Sequence, residues 1–144
     1  MPIKTFRGLI KDGNQDTIVL HTNDGSVGYR IVNFQVIPNT PGAADYESVT
    51  QIWKVQQSAV TAVIDFSDQT LLGVAFWSGR GGASAAYPDE EHITFDREIF
   101  NQDIYLTQQC LQGGDMNYYL ELEQVKLDLN ENTVATLKDI RNNA

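Results

Sequence analysis

Strand-type residues come in short runs along this chain, and a turn signal closes almost every run. Runs of this length suit strands, and helices would need longer stretches with apolar residues three and four apart. Ile3 to Lys11 is the first run, closed by Asp12-Gly13-Asn14. Thr17 to Thr22 is the second. The Asn23-Asp24-Gly25-Ser26 segment after it contains Asp-Gly, which supplies the positive φ angles of a tight hairpin turn. Val27 to Ile37 is the third, with Val32, Phe34 and Val36 expected on one face, and Pro38-Asn39-Thr40-Pro41-Gly42 ends it. Tyr46 to Gln56 follows, and Thr61 to Phe66 reads as a further short strand.

From Thr70 to Trp77 the chain is almost continuously apolar. Alternation places Leu72, Val74 and Phe76 on one face and Leu71, Ala75 and Trp77 on the other. A run apolar on both faces predicts a central strand, covered on each side by core or by a partner. His92 to Phe95 and Asp103 to Thr107 are short strands, and Gln112-Gly113-Gly114-Asp115 is a turn. Met116 to Leu129 is the longest strand. Tyr118, Leu120 and Leu122 have one parity and Val125, Leu127 and Leu129 the other, which predicts a β-bulge near Glu123-Gln124. Asn130 is a suitable N-cap, and Val134, Leu137 and Ile140 recur at helical spacing, so residues 131–141 read as one short terminal helix. The expected architecture is a single all-β domain over residues 1–144. It is a β-sandwich of jelly-roll type closed by that helix.

The charge balance narrows the partners. Nineteen acidic against ten basic residues give a net charge of −9, with no basic cluster. Phosphate contacts and anionic lipid surfaces are therefore not expected as partners. Cys110 is the only cysteine, which precludes an intrachain disulfide. No basic start precedes an N-terminal apolar run, so no secretory signal is read, and synthesis in a cytoplasm is expected.

Several residue groups imitate chemical sites. Asp12-Gly13-Asn14-Gln15-Asp16 opens like a calcium loop, but Thr17 stands where glycine is required and Asn23 where the bidentate glutamate belongs, so a polar turn is expected. Glu121 and Glu123, two apart on a strand, would project about 6.8 Å apart by strand rise. Inverting glycosidases use a similar carboxylate separation, but a solvated sheet face gives the same pattern. His21 and His92 lack a second ligand at metal spacing, and Cys110 has no neighbouring cysteine or histidine, so no metal or cofactor is expected. Trp53, Trp77, Tyr105, Tyr118 and Tyr119 could form a sugar-stacking platform, although core packing accounts for most of them.

The segment Ser78 to Pro88 is rich in glycine and alanine and carries one basic residue, Arg80. It has neither a phosphate-loop ending nor dinucleotide-loop spacing. Ordering it costs about 1–2 kcal/mol of backbone entropy per residue, which a neighbouring subunit could offset. The candidate interface is thus Gly79, Gly81 and Gly82, which allow close approach, with Trp77 and Tyr87 as flanking anchors and Arg80 as partner for a carboxylate.

Two stretches carry a resemblance. Phe100-Asn101-Gln102-Asp103-Ile104-Tyr105-Leu106-Thr107 is one. The run from Asn117 to Leu129, with Thr133-Val134-Ala135-Thr136-Leu137-Lys138, is the other. Both resemble small virion structural proteins of tailed bacteriophages, especially those of marine bacteria and cyanobacteria. Weaker similarity runs through Gly28-Tyr29-Arg30-Ile31-Val32 and Asp65-Phe66-Ser67-Asp68-Gln69-Thr70-Leu71. The resemblance implies a non-enzymatic particle component present in many copies, located in the virion. It would contact other virion proteins and its own copies, and would be foremost a capsid decoration protein. A neck, tail or fibre-adaptor subunit is the alternative, with a carbohydrate-binding module and a glycoside-processing enzyme from other classes.

Overall fold

The computed structural model describes residues 2–22, 26–41, 45–80, 89–95 and 98–127. The helix expected over 131–141 lies outside the described residues. The strands are β1 (Ile3–Ile10), β2 (Gln15–Ile18), β3 (Val27–Pro38), β4 (Tyr46–Trp53), β5 (Leu71–Gly79), β6 (Asp89–Thr94), β7 (Ile104–Cys110) and β8 (Met116–Lys126). They form a three-stranded sheet, β1-β8-β3, and a five-stranded sheet, β2-β7-β4-β5-β6. All pairings are antiparallel.

These pairings are those of a jelly roll. Folding one long hairpin of eight strands pairs the first with the last, the second with the seventh and the fourth with the fifth, and β1–β8, β2–β7 and β4–β5 do so. β6 departs from the full pattern. It hydrogen-bonds to β5, although it still lies against β3, the strand it would otherwise pair with. The expected all-β sandwich is therefore the fold.

The main core lies between the sheets. β8 and β3 contribute Leu120, Leu122, Met116, Ile31, Phe34 and Val36, and the other sheet contributes Ile52, Leu72, Ala75, Trp77, Ile104 and Leu106. Removing that much apolar surface from water is the dominant favourable term. Gln108 is fully buried among these side chains. Its Oε1 accepts from Ser48 Oγ at 2.9 Å, and its Nε2 donates to the carbonyls of Ile10 at 3.3 Å and Gly114 at 3.1 Å. Ile10 belongs to the opposite sheet, so this amide fastens the two sheets through satisfied hydrogen bonds.

Two bulges set the facing of side chains, and neither lies at Glu123-Gln124, where alternation placed one. The irregularity in the β3–β8 pair falls between Ile31 and Asn33, so Val32 on β3 is the extra residue and β8 runs without interruption. Tyr29 and Ile31 before it, and Phe34 and Val36 after it, all face the core, whereas Val32 is exposed. The expected Val32-Phe34-Val36 face and the expected bulge at Glu123-Gln124 are both corrected. Leu127 is buried because it follows the end of β8, where it packs over Gly28. The second bulge is Leu72 on β5, opposite Ile52 and Trp53. It moves Leu72 to the inner face with Ala75 and Trp77, and leaves Leu71, Val74 and Phe76 outside.

β5 is interior to its sheet and covered on both faces, as the doubly apolar run indicated. The outer cover comes from the chain itself. Residues 54–70 cross that face, and Ala62 packs on Val49, Trp53, Leu71 and Val74. Gln51 Nε2 donates to the carbonyls of Thr61 and Val63 at 3.3 and 3.2 Å. Thr61 to Phe66 is consequently not a strand: a glutamine side chain takes the carbonyls that a ladder would have used. β2 stops at Ile18 for a related reason. Asp103 Oδ1 accepts from the backbone N–H of Leu20 at 2.8 Å and of His21 at 3.1 Å, so those donors leave the sheet.

Candidate functional site

The residues with chemical potential lie apart, and most have a local partner. Asp12 Oδ1 accepts from the backbone N–H of Cys110 at 2.7 Å and from Gln109 Nε2 at 3.2 Å. Gly13 takes φ 75°, and its N–H bonds the Gln108 carbonyl at 2.8 Å. The Asp12 turn thus anchors the end of β7. Among the described residues no group of three or more His, Cys, Asp or Glu side chains is placed to hold a metal ion. Cys110 is a buried free thiol.

Asp103 also accepts from His21 Nδ1 at 2.7 Å. Partial burial alone would raise its pKa. The hydrogen bonds and charge from His21, with the Leu20 N–H, outweigh burial and hold it below the usual carboxylate range. His92 Nε2 lies 3.3 Å from Glu90 Oε2, two residues away on the same strand. Asp16 points into the rim of the sandwich, and burial raises its pKa. Tyr118, crossing β1 where Gly8 leaves room, is raised by its own burial and then by the Asp16 charge.

Glu121 and Glu123 share the outer face of the three-stranded sheet. Glu123 pairs across the strands with Arg30 at 3.0 Å, and Glu121 accepts from Tyr119 Oη at 2.8 Å. That bond raises the Tyr119 pKa. These are neighbours on an open sheet surface, each engaged with its own partner. Register alignment adds Thr5, Arg7 and Leu9 from β1, Asn117 from β8, and Asn33, Gln35 and Ile37 from β3 to the same face.

The aromatic platform does not assemble. Trp53 and Trp77 are buried, Tyr105 packs against the outer cluster of the five-stranded sheet, and Tyr118 packs against the core. Tyr119 alone of the five lies on the open face. Trp53 donates from Nε1 to Thr107 Oγ1 at 2.9 Å, which satisfies the indole inside the fold.

The candidate interface is only partly within view. Trp77 is 8% exposed and packs in the core between the sheets, on the same face as Ala75. Gly79 ends β5 opposite Tyr46. Arg80 is largely exposed, with its guanidinium 4.0 Å from Asp45. Gly81, Gly82 and Tyr87 lie outside the described residues.

One feature had no signal in the sequence. Lys54 is buried, and its Nζ lies 3.3 Å from Glu98 Oε2. Glu98 also lines a shallow open depression of about 190 Å³ with Phe66, Asp68, Gln69, Leu71 and Phe95. Phe66 meets Phe95 edge-on with ring centroids 5.5 Å apart. Nothing in the local sequence around Lys54 marks it as buried, because Glu98 is distant along the chain.

No family model and no curated protein sequence matches the chain. Among solved structures, the tailspike protein of Acinetobacter baumannii bacteriophage Fri1, a capsular polysaccharide depolymerase, aligns over 78% of this chain at 8% identity and a TM-score of 0.21. The chain spans 21% of that tailspike's length. A likeness this slight carries neither fold nor function across.

Proposed function

We propose that the chain is a non-enzymatic structural protein of a phage virion, a capsid decoration subunit that binds the shell through its sheet faces and edges. The observation that carries this reading is the open outer face of the β1-β8-β3 sheet. It is rich in Asn, Gln, Thr, Tyr and Glu, and bordered by exposed Ile3, Leu9 and Ile37. A polar field with aromatic and aliphatic points is the composition of a wet protein interface. The net charge of −9 suits a position outside the shell, away from packaged DNA. The resemblance to phage virion proteins supports the same reading.

The test is composition and rebinding. Mass spectrometry of gradient-purified particles should find the chain in many copies, and purified chain should co-sediment with shells stripped of it. Recovery only with isolated tails would move the assignment to the neck, tail or fibre-adaptor alternative. Absence from intact particles would remove the virion reading altogether.

A further inference from the structure

The four edge strands of the two sheets are not protected alike. β3 is bulged at Val32 and ends in Pro38. Its start is bridged by Phe100, whose N–H and carbonyl exchange hydrogen bonds with Tyr29 at 3.0 and 2.8 Å. β2 is four residues long and turns Asp16 inward. Bulges, prolines, short strands and inward charges are the usual means of blocking edge-to-edge pairing.

β1 and β6 are broken by neither a bulge nor an internal proline, although Lys4 on β1 and Glu90 on β6 stand on the inner-facing parity, opposite Leu122 and Trp77. β1 runs eight residues in unbroken register with β8, with no internal proline. β6 runs six in unbroken register with β5. Each presents a row of backbone groups on its outer side that bond no other strand among the described residues. The two edges carry opposite charge. Lys4 and Arg7 lie on β1, with Lys11 just beyond it, and all three are exposed. Asp89, Glu90 and Glu91 open β6 and are exposed as well.

The edges also lie on opposite flanks. β3 packs against β5 and β6, and β1 is separated from β3 by the full width of β8. An isologous β1-to-β1 contact would set Lys4 and Arg7 against their own copies. A heterologous contact sets base against acid.

We propose that copies of this chain associate head to tail, the basic β1 edge of one adding to the acidic β6 edge of the next. The contact extends a sheet across the boundary through main-chain hydrogen bonds, with the charges selecting which edge meets which. The net charge of −9 repels copies at long range, so the pairing depends on the local charges of the two edges. This deepens the reading of the chain as a multi-copy particle component and names the surface by which copies meet.

Charge reversal of the full chain tests it, with analytical ultracentrifugation at micromolar to tens-of-micromolar concentration. The wild type should self-associate. Arg7→Glu/Lys11→Glu has two acidic edges, and Asp89→Lys/Glu91→Lys has two basic ones. Each alone should weaken self-association by about tenfold or more. An equimolar mixture of the two should associate again, which shows that both remain folded. A wild type that stays monomeric, or reversals that leave association unchanged, would overturn the proposal, and so would a mixture that fails to recover. A monomer that still co-sediments with shells overturns the edge contact alone. A self-associating chain missing from particles overturns the virion reading alone.

Discussion

At the residue scale, the buried polar side chains fix the structure through particular partners. Gln108 serves groups on two sheets and a turn at once. A leucine there would leave those groups without a partner, at about 1–3 kcal/mol for each buried group. Gln108→Leu is therefore expected to lose at least ~2 kcal/mol in urea unfolding, whereas substitution of exposed Gln35 should leave stability unchanged. The two shifted aspartates predict opposite responses to pH. The folded pKa of Asp103 is lowered, so its contribution is present above the unfolded value near 3.8 and is lost as pH falls through the folded value. Asp103→Asn should lower the melting temperature at pH 7, and the difference should shrink in acid. The folded pKa of Asp16 is raised, so its ionised form opposes folding at neutral pH. Asp16→Asn should raise the melting temperature at pH 7, with the gain fading as pH falls from the raised folded value to the unfolded value. Thermal scans across pH check both signs.

At the element scale, single residues decide which face of a strand is buried. Val32 is the extra residue that brings both Tyr29-Ile31 and Phe34-Val36 to the core. Deleting it would turn one of these pairs to solvent, because side chains alternate with period two. Exposing two large apolar side chains costs about 3–6 kcal/mol at 1.5–3 kcal/mol each. Deletion of Val32 should abolish or severely weaken the cooperative transition, while Val32→Thr should alter stability by no more than about 0.5 kcal/mol. Gly114 has a related role at the β7–β8 turn. A Cβ there would run into the Tyr46 ring, so Gly114→Ala should be destabilising even though the position is a turn.

At the scale of the whole molecule, a jelly roll places its first and last strands side by side, so the fold closes only when most of the chain is in place. Such non-local pairing predicts slow folding, on the order of milliseconds to seconds for a β-sandwich. The stability should not depend on a bound ion, since Asp12 Oδ1 already accepts from the Cys110 N–H and from Gln109 Nε2. Chelator should leave the melting temperature unchanged. A fall of several degrees would restore the Asp12–Asp16 turn as a metal site.

The class of fold was legible in the chain before any tertiary contact was known. Turn residues and period-two runs act locally, through φ preference and side-chain alternation, and they placed most strands within a few residues of their bounds. The doubly apolar run at Leu71 to Trp77 likewise announced an interior strand, because only a strand covered on both faces tolerates it. The bulge read from the parity of Tyr118 to Leu129 in β8 is not there; the phase change lies in β3, Tyr29-Ile31 against Phe34-Val36, which grouping Val32 with Phe34 and Val36 passed over. Other features were decided by tertiary structure. Thr61 to Phe66 has strand composition, yet Gln51 captures its carbonyls. Trp77 flanks the Gly/Ala-rich segment in the sequence, and only the packing of the two sheets shows its ring among the core side chains. Lys54 is buried only because Glu98 arrives from far along the chain. The outward edges of β1 and β6, on opposite flanks, exist only once the sheets are assembled, since edges and flanks are properties of strand order, which local residue preferences do not encode.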